Sequence, residues 1–181
     1  MATIVGFMGE RLGGKDTAAQ YLVDKYGAEH ARYSYIFDDI LKLLDIPVSR
    51  RNEIDLGNAL RAQFGDGIFS QAMRKRILNS KSKLIAMNGM RFPKEMDLAR
   101  ELGAKIVYIT APEDVRYQRF LARQEKADDA KMSYEKFHAL DQELTEVQIP
   151  ELGKQADERI DNTGSIQDLY AKIDQLMEQL T

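Results

Sequence analysis

Apolar residues fall into five short runs separated by longer stretches of mixed character. The runs are TIVGFM at 3–8, RYSYIF at 32–37, KLIAMN at 83–88, KIVYIT at 105–110 and the weaker DERID at 157–161. The third and fourth are short and continuous, the pattern of strands buried on both faces. Between the runs, apolar residues return at helical spacing. DTAAQYLVDKYG ends in Gly27 as a C-terminal cap, and PKEMDLARELG starts with proline in its first turn and ends in Gly103. APEDVRYQRFLARQEK places acids in its first turn and bases later, as the helix dipole favours. SIQDLYAKIDQLMEQL opens on Ser165 as an N-cap and continues as an amphipathic helix. This alternation predicts an α/β fold in three layers, a five-stranded parallel sheet flanked by helices.

Two stretches break the alternation. Residues 38–82 are charged and helical in pattern without a strong strand, and read as an insertion that carries specificity. Residues 124–150 are polar and read as a lid. No repeat and no Pro/Gly/Ser-rich linker divides the chain, so 1–181 is expected to be one domain.

Composition narrows the partners. A net charge of -3 gives no reason to expect nucleic acid or an anionic membrane. The absence of cysteine excludes disulfides and thiol catalysis and fits a reducing compartment. No apolar run approaches the roughly 20 residues that span a bilayer, and MATIVGFMGE lacks the basic start of a signal peptide. The expectation is a cytoplasmic protein. His30 and His138 have no metal-ligand companions nearby in sequence.

Candidate chemistry begins where the first run ends. GERLGGKDT, residues 9–17, sets a glycine, four residues, a glycine and a lysine between a strand and a helix. Gly9, Gly13 and Gly14 let backbone N–H groups turn toward phosphate oxygens at the positive end of the following helix. Lys15 is placed to reach the outer phosphates. The bland alternative is a glycine-rich turn that binds nothing. The next position, where a phosphate-binding loop carries a hydroxyl for magnesium, is Asp16. A carboxylate there is either a magnesium ligand or an acid favoured at a helix start. Thr17 still offers a hydroxyl to a phosphate.

The loop resembles that of the nucleoside monophosphate kinase-like branch of the P-loop kinases. Its GKD form is similar to bacteriophage deoxynucleoside monophosphate kinases and animal-type phosphomevalonate kinases. NGMRFPKEMDLARELGAKIVYITAP, at 88–112, resembles the segment of those phage enzymes and of archaeal adenylate-kinase-related proteins in which an arginine follows the third strand. ADERIDNTGSIQDLYAKIDQL resembles the C-terminal part of dephospho-CoA kinases, where an Asn-x-Gly turn lies against the base. The resemblance covers 1–35 and 83–181 and is weakest over 38–82. Related kinases often carry an aspartate where this chain has Asn88. One reading is that the acid at 16 compensates for its loss at 88.

The resemblance implies ATP and Mg2+ as cofactors and a small phosphorylated acceptor, a nucleoside monophosphate or one such as dephospho-CoA. Arg119 and Arg123 fall on one helical face with Arg116 and resemble lid arginines that close over phosphates. Arg91 is implied near the acceptor phosphate, and Asn162 and Gly164 against the base. Arg61, in the insertion, and Asp38, after the second run, are further acceptor candidates, with Arg50 and Arg51 behind them. Asp38 reads equally as a helix N-cap, and Asn162 and Gly164 as a plain turn. Tyr117 and Phe120 read as packing, and Arg74–Arg76 as a solvated helix face. Two other functions remain compatible with the chain: a nucleotide-binding regulator with a weak metal site, and an NTPase acting through a protein partner.

Overall fold

The structure, a computed structural model, describes residues 2–123, 133–143 and 145–180, with the side chain of Arg123 outside that description. Five parallel strands form one sheet in the order β2-β3-β1-β4-β5. They are β1 (Thr3–Met8), β2 (Glu29–Arg32), β3 (Leu84–Met90), β4 (Lys105–Thr110) and β5 (Glu158–Asp161). Alternation along each strand divides the core. Val5, Phe7, Ala86, Val107 and Ile109 face α1 (Lys15–Tyr26) and α9 (Ile166–Glu178). Ile4, Met8, Met87, Ile106 and Tyr108 face α2 (Ser34–Leu43), α4 (Ile68–Asn79), α5 (Pro93–Glu101) and α8 (Ile149–Gly153). α3 (Arg50–Phe64), α6 (Glu113–Arg123) and α7 (Tyr134–Asp141) lie around the C-terminal edge of the sheet, where open parallel sheets bind ligands.

The three-layer parallel fold agrees with the sequence pattern, and β1 and β4 occupy the predicted runs. Gly27 caps α1 in the left-handed conformation, φ 67°. Ser165 caps α9, its Oγ accepting from the Asp168 N–H. The second strand differs. It lies at Glu29–Arg32, and most of the predicted run 32–37 belongs to α2. The reason is periodicity. Tyr33, Ile36, Phe37, Ile40 and Leu41 repeat at helical spacing, whereas β2 is an edge strand with only Ala31 buried. Asp38 consequently sits inside α2 and caps nothing.

β3 runs two residues past its predicted end. A register shift there pairs Phe7 with Asn88 and Met8 with Met90, skipping Gly89, which takes φ 88°. Such a bulge re-aims neighbouring side chains. Within 38–82 the structure is helical, from the body of α2 through α4. Of the expected lid, residues 124–132 and Leu144 lie outside the described residues, and α7 covers 134–141. No helix among the described residues is long and apolar enough to cross a membrane.

Candidate active site

The turn between β1 and α1 is packed so closely that its three glycines leave no room for a Cβ. A Cβ on Gly9 would strike the Ile109 carbonyl, and one on Gly13 would lie 2.7 Å from that same oxygen. Gly14 takes φ 116° with the Asn162 amide directly against it. Asn162 Nδ2 donates to the Gly13 carbonyl at 2.8 Å, so the turn after β5 is tied to the loop. Arg119 joins the same two pieces. Its guanidinium donates to the Leu12 carbonyl at 3.2 Å and to the Asn162 carbonyl at 2.7 Å. Leu12 is a non-glycine residue at φ 61°, and this bond helps hold its strained backbone.

Lys15 and Asp16 stand at the first turn of α1. Lys15 is 4% exposed, and its ammonium reaches the Glu10 carbonyl at 3.4 Å and Asp16 at 3.6 Å. Burial lowers its pKa to about 8 despite the neighbouring Asp16 carboxylate. Burial alone would raise the Asp16 pKa. Lys15 and Arg32 outweigh it, helped by the amide of Asn88, and Asp16 titrates at about 2. Arg32 ends β2 beside Asn88, and its guanidinium lies 3.4 Å from Asp16 Oδ1. Asn88 Nδ2 donates to that same oxygen at 2.9 Å, while Asn88 Oδ1 is buried with no hydrogen-bond partner.

On one side of this pair opens a cavity of about 300 Å3, whose walls include Lys15, Asp16, Arg32, Phe37, Arg61 and Arg91. Arg91 follows β3, where its backbone N–H donates to the Glu95 carboxylate at 2.7 Å. Its side chain donates to Glu146 and to the Thr145 carbonyl. Burial and the charges of Arg11 and Arg50 lower its pKa to about 10. Arg61 comes from α3, lies over the Phe92 ring at 4.1 Å and pairs with Glu95 at 3.5 Å. Burial raises the Glu95 pKa even though it accepts from two backbone N–H groups. Asp38 is not part of this wall.

On the other side lies a cavity of about 530 Å3, lined by Gly14, Asp16, Thr17, Arg119, Asn162 and Gly164 among others. Leu12 and Asp16 border both cavities, so the two meet at the start of α1.

α6 sets the third wall. Arg116 is 6% exposed and donates to the Ala111 carbonyl at 3.0 Å, the Arg11 carbonyl at 3.3 Å and Asp141 at 2.6 Å. Arg123 closes α6, and its side chain lies outside the described residues. Tyr117 and Phe120 pack on Phe137 of α7. His138 pairs with Glu113 on the surface, and His30 meets Tyr35 edge-on. Arg74 and Arg76 pair with Glu101 and Asp39 on the surface.

Four charged residues around the site are missed by sequence reasoning: Arg11, Arg32, Glu95 and Glu146. Only Arg32 has a findable signal, since a strand ending at 32 places it at the C-terminal edge beside Asn88.

The donor set fits a polyphosphate. A buried ammonium with three donors makes only long contacts, to the Glu10 carbonyl and Asp16, and has capacity for a further anion, and the glycines leave backbone where phosphate oxygens approach. Among the described residues no group of three or more His, Cys, Asp or Glu could hold a metal alone. Magnesium suits one carboxylate plus phosphate oxygens and water. Asp16, with the orphaned Asn88 oxygen beside it, fits that arrangement.

No family model matches the sequence, and no curated protein matches it. Solved structures do match. A shikimate kinase from Bacteroides thetaiotaomicron superposes with a TM-score of 0.61 at 14% identity, covering 97% of this chain and 98% of that one. A shikimate kinase from Acinetobacter baumannii, in complex with shikimate, gives 0.60 at 16% identity over 100% and 96%. TT1252 from Thermus thermophilus gives 0.58 at 20% identity over 99% and 98%. At these identities the likeness establishes the fold alone, over nearly the full length of both chains.

Proposed function

We propose that this chain is an ATP-dependent, magnesium-requiring phosphotransferase whose acceptor is itself a small phosphorylated molecule, with nucleoside monophosphates first and dephospho-CoA next. The observation that carries this reading is the meeting of two cavities at Leu12 and Asp16, with Lys15 in the wall of the first. One is bounded by the glycine loop and the Asn162–Gly164 turn and suits a nucleotide. The other is bounded by Arg32, Arg61 and Arg91 with the aromatic rings of Phe37 and Phe92, and suits a phosphate joined to a flat group.

In this reading Gly9, Gly13, Gly14 and Thr17 hold the polyphosphate, and Asn162, Gly164 and Arg119 shape the base side. Asp16, together with ATP, would hold magnesium, which would supply charge neutralisation at the transferring phosphate. Lys15 carries positive charge to the same place, and Arg91 and Arg61 orient the acceptor. Arg123 completes the charge from α6. Such catalysis rests on positioning and electrostatics rather than on covalent chemistry. Residues 38–82 form the acceptor-binding part, and 124–150 the cover that excludes water.

The test is a panel of nucleoside and deoxynucleoside monophosphates, dephospho-CoA, phosphomevalonate and shikimate, each assayed with ATP and with GTP. Transfer to a phosphorylated member is expected. Transfer only to shikimate, or hydrolysis that ignores every acceptor, overturns the reading.

A further inference from the structure

Two glutamates after α7 pair with three arginines, Arg11, Arg50 and Arg91, that line the first cavity. Glu146 is 2% exposed. Its Oε1 accepts from Arg91 and from Arg11, the latter at 3.5 Å, while its Oε2 is buried with no hydrogen-bond partner. Glu143 accepts from Arg11 at 3.2 Å and from Arg50 at 3.3 Å, and its side chain is 35% exposed. Guanidinium groups from the loop, from the end of β3 and from α3 are thus gathered by two carboxylates three residues apart.

The two carboxylates differ physically. Three guanidinium groups in one cleft repel one another, and without a counter-charge Arg11 and Arg91 would part. Glu146 holds them together from beneath. It does so at a cost, because a buried carboxylate oxygen without a partner is unfavourable. A residue selected for stability alone would satisfy both oxygens. Glu143 is more exposed, with a half-buried pair to Arg11 and a solvent-facing pair to Arg50, and the latter is weak and readily exchanged. Arg11 and Arg50 both line the cavity, so an entering anion would compete with Glu143 for the same two groups.

Resting on the reading of the cleft as a phosphorylated-acceptor site, we propose that the two glutamates divide one task. Glu146 is a positioning residue that sets Arg11 and Arg91 side by side for the acceptor phosphate. Glu143 holds that phosphate's place on Arg11 and Arg50 until it arrives.

The experiment is titration with inorganic phosphate, with ADP in excess to fill the glycine loop, of wild type, Glu143→Gln and Glu146→Gln. Both substitutions remove one negative charge, so simple electrostatics would tighten phosphate in both. The proposal requires opposite signs. Glu143→Gln is expected to bind phosphate about threefold to tenfold more tightly. Glu146→Gln is expected to bind it about tenfold more weakly, and to raise the acceptor KM more than it lowers kcat. Tightening in both variants overturns the proposal, as does a fall in Tm of Glu146→Gln with phosphate affinity unchanged. Should Glu146→Gln not fold, Glu146→Asp keeps the charge but withdraws it by one methylene, and it too must weaken phosphate. If wild type binds no phosphate beside ADP, the acceptor reading fails first and the proposal with it. If wild type binds phosphate and the signs do not oppose, the proposal fails alone.

Discussion

Asn88 Nδ2 donates to Asp16 Oδ1 at 2.9 Å, so the amide at the end of β3 and the acid of the loop form one unit. The sequence separates them by 72 positions, yet Asn88 shares the strand face of Ala86, which packs against α1. The pair makes the role of Asp16 testable. As a magnesium ligand, Asp16→Ala should lose roughly 100-fold in turnover, and the remaining rate should no longer depend on magnesium. Asn88→Asp would set two carboxylates against each other and raise the pKa of one, so its activity should fall. Asp16→Ser combined with Asn88→Asp moves the acid across the hydrogen bond and should recover part of the loss. Rates measured against magnesium concentration decide this. Full activity of Asp16→Ala would leave Asp16 as a helix-start acid only.

Lys15 predicts a pH dependence of nucleotide binding. Its folded pKa, about 8, lies below the ordinary 10.5 because the ammonium is buried. Between these values the unfolded chain holds the proton and the folded one releases it, so this group makes stability rise with pH from about 8 to 10.5. An entering phosphate restores the proton. At pH 8.5, ADP binding should therefore take up about three quarters of a proton at this site. Affinity should fall as pH rises through about 8. Calorimetry in buffers of different ionisation enthalpy measures the uptake, and Lys15→Met should abolish it.

The loop glycines are not equivalent. Gly14 takes φ 116° against the Asn162 amide. Gly14→Ala forces strain there and disturbs the Asn162–Gly13 bond, at about 1–3 kcal/mol. Gly164→Ala meets a different neighbour, the Asp168 carboxylate at 2.5 Å, which accepts from the Ser165 N–H in the cap of α9. Its cost is that of a weakened cap, about 1 kcal/mol. Gly14→Ala is expected to show the larger fall in Tm and a rise in ADP Kd of about tenfold. Equal effects of the two substitutions would argue against a tight junction of loop and base turn.

Arg119 bridges that junction through two carbonyls on separate elements. An ammonium cannot reproduce a planar fork with two donors set apart. Arg119→Lys should therefore behave nearly as Arg119→Ala does, each raising the Kd for ADP by about tenfold. The acceptor KM should change little in either. A lysine variant with wild-type affinity would show that charge alone, rather than the bridge, is what α6 contributes.

Much of this architecture is legible without coordinates, and the parts that are not share a cause. β1 and β4 are buried on both faces, so their runs are apolar but for their ends and their limits can be read directly. β2 is an edge strand with one buried residue, and the stronger helical repeat of α2 beside it drew the prediction off by three residues at its start and five at its end. The loop announces itself because glycines, lysine and a following helix are consecutive. Arg32, Glu95 and Glu146 do not, because they reach the cavity or its arginines through a strand register, a helix start and a turn that the chain brings together only on folding. Asp38 failed to reach the cleft for the same reason as β2: it follows a helix start, not a strand end.

Arg116 extends that lesson to energetics. In sequence it looks like the least committed of three arginines on one face, yet it is buried and ties α6 to the loop and to α7 through three partners. Its pair with Asp141 is largely shielded, with the two side chains 7% and 16% exposed. Removing one member of a buried pair leaves the other charge uncompensated, at about 3 kcal/mol or more. Arg116→Met should thus lower Tm by roughly 6–12 °C for a domain of this size. The double change Arg116→Met with Asp141→Leu should restore much of that loss, since an apolar pair of similar volume replaces an ion pair without penalty. Activity separates the two roles. The double variant regains stability but lacks the bond from Arg116 to the Arg11 carbonyl, so the loop loses a support beside Lys15, and turnover should remain depressed in a protein that is folded. Recovery of both Tm and turnover would confine Arg116 to holding α7 in place.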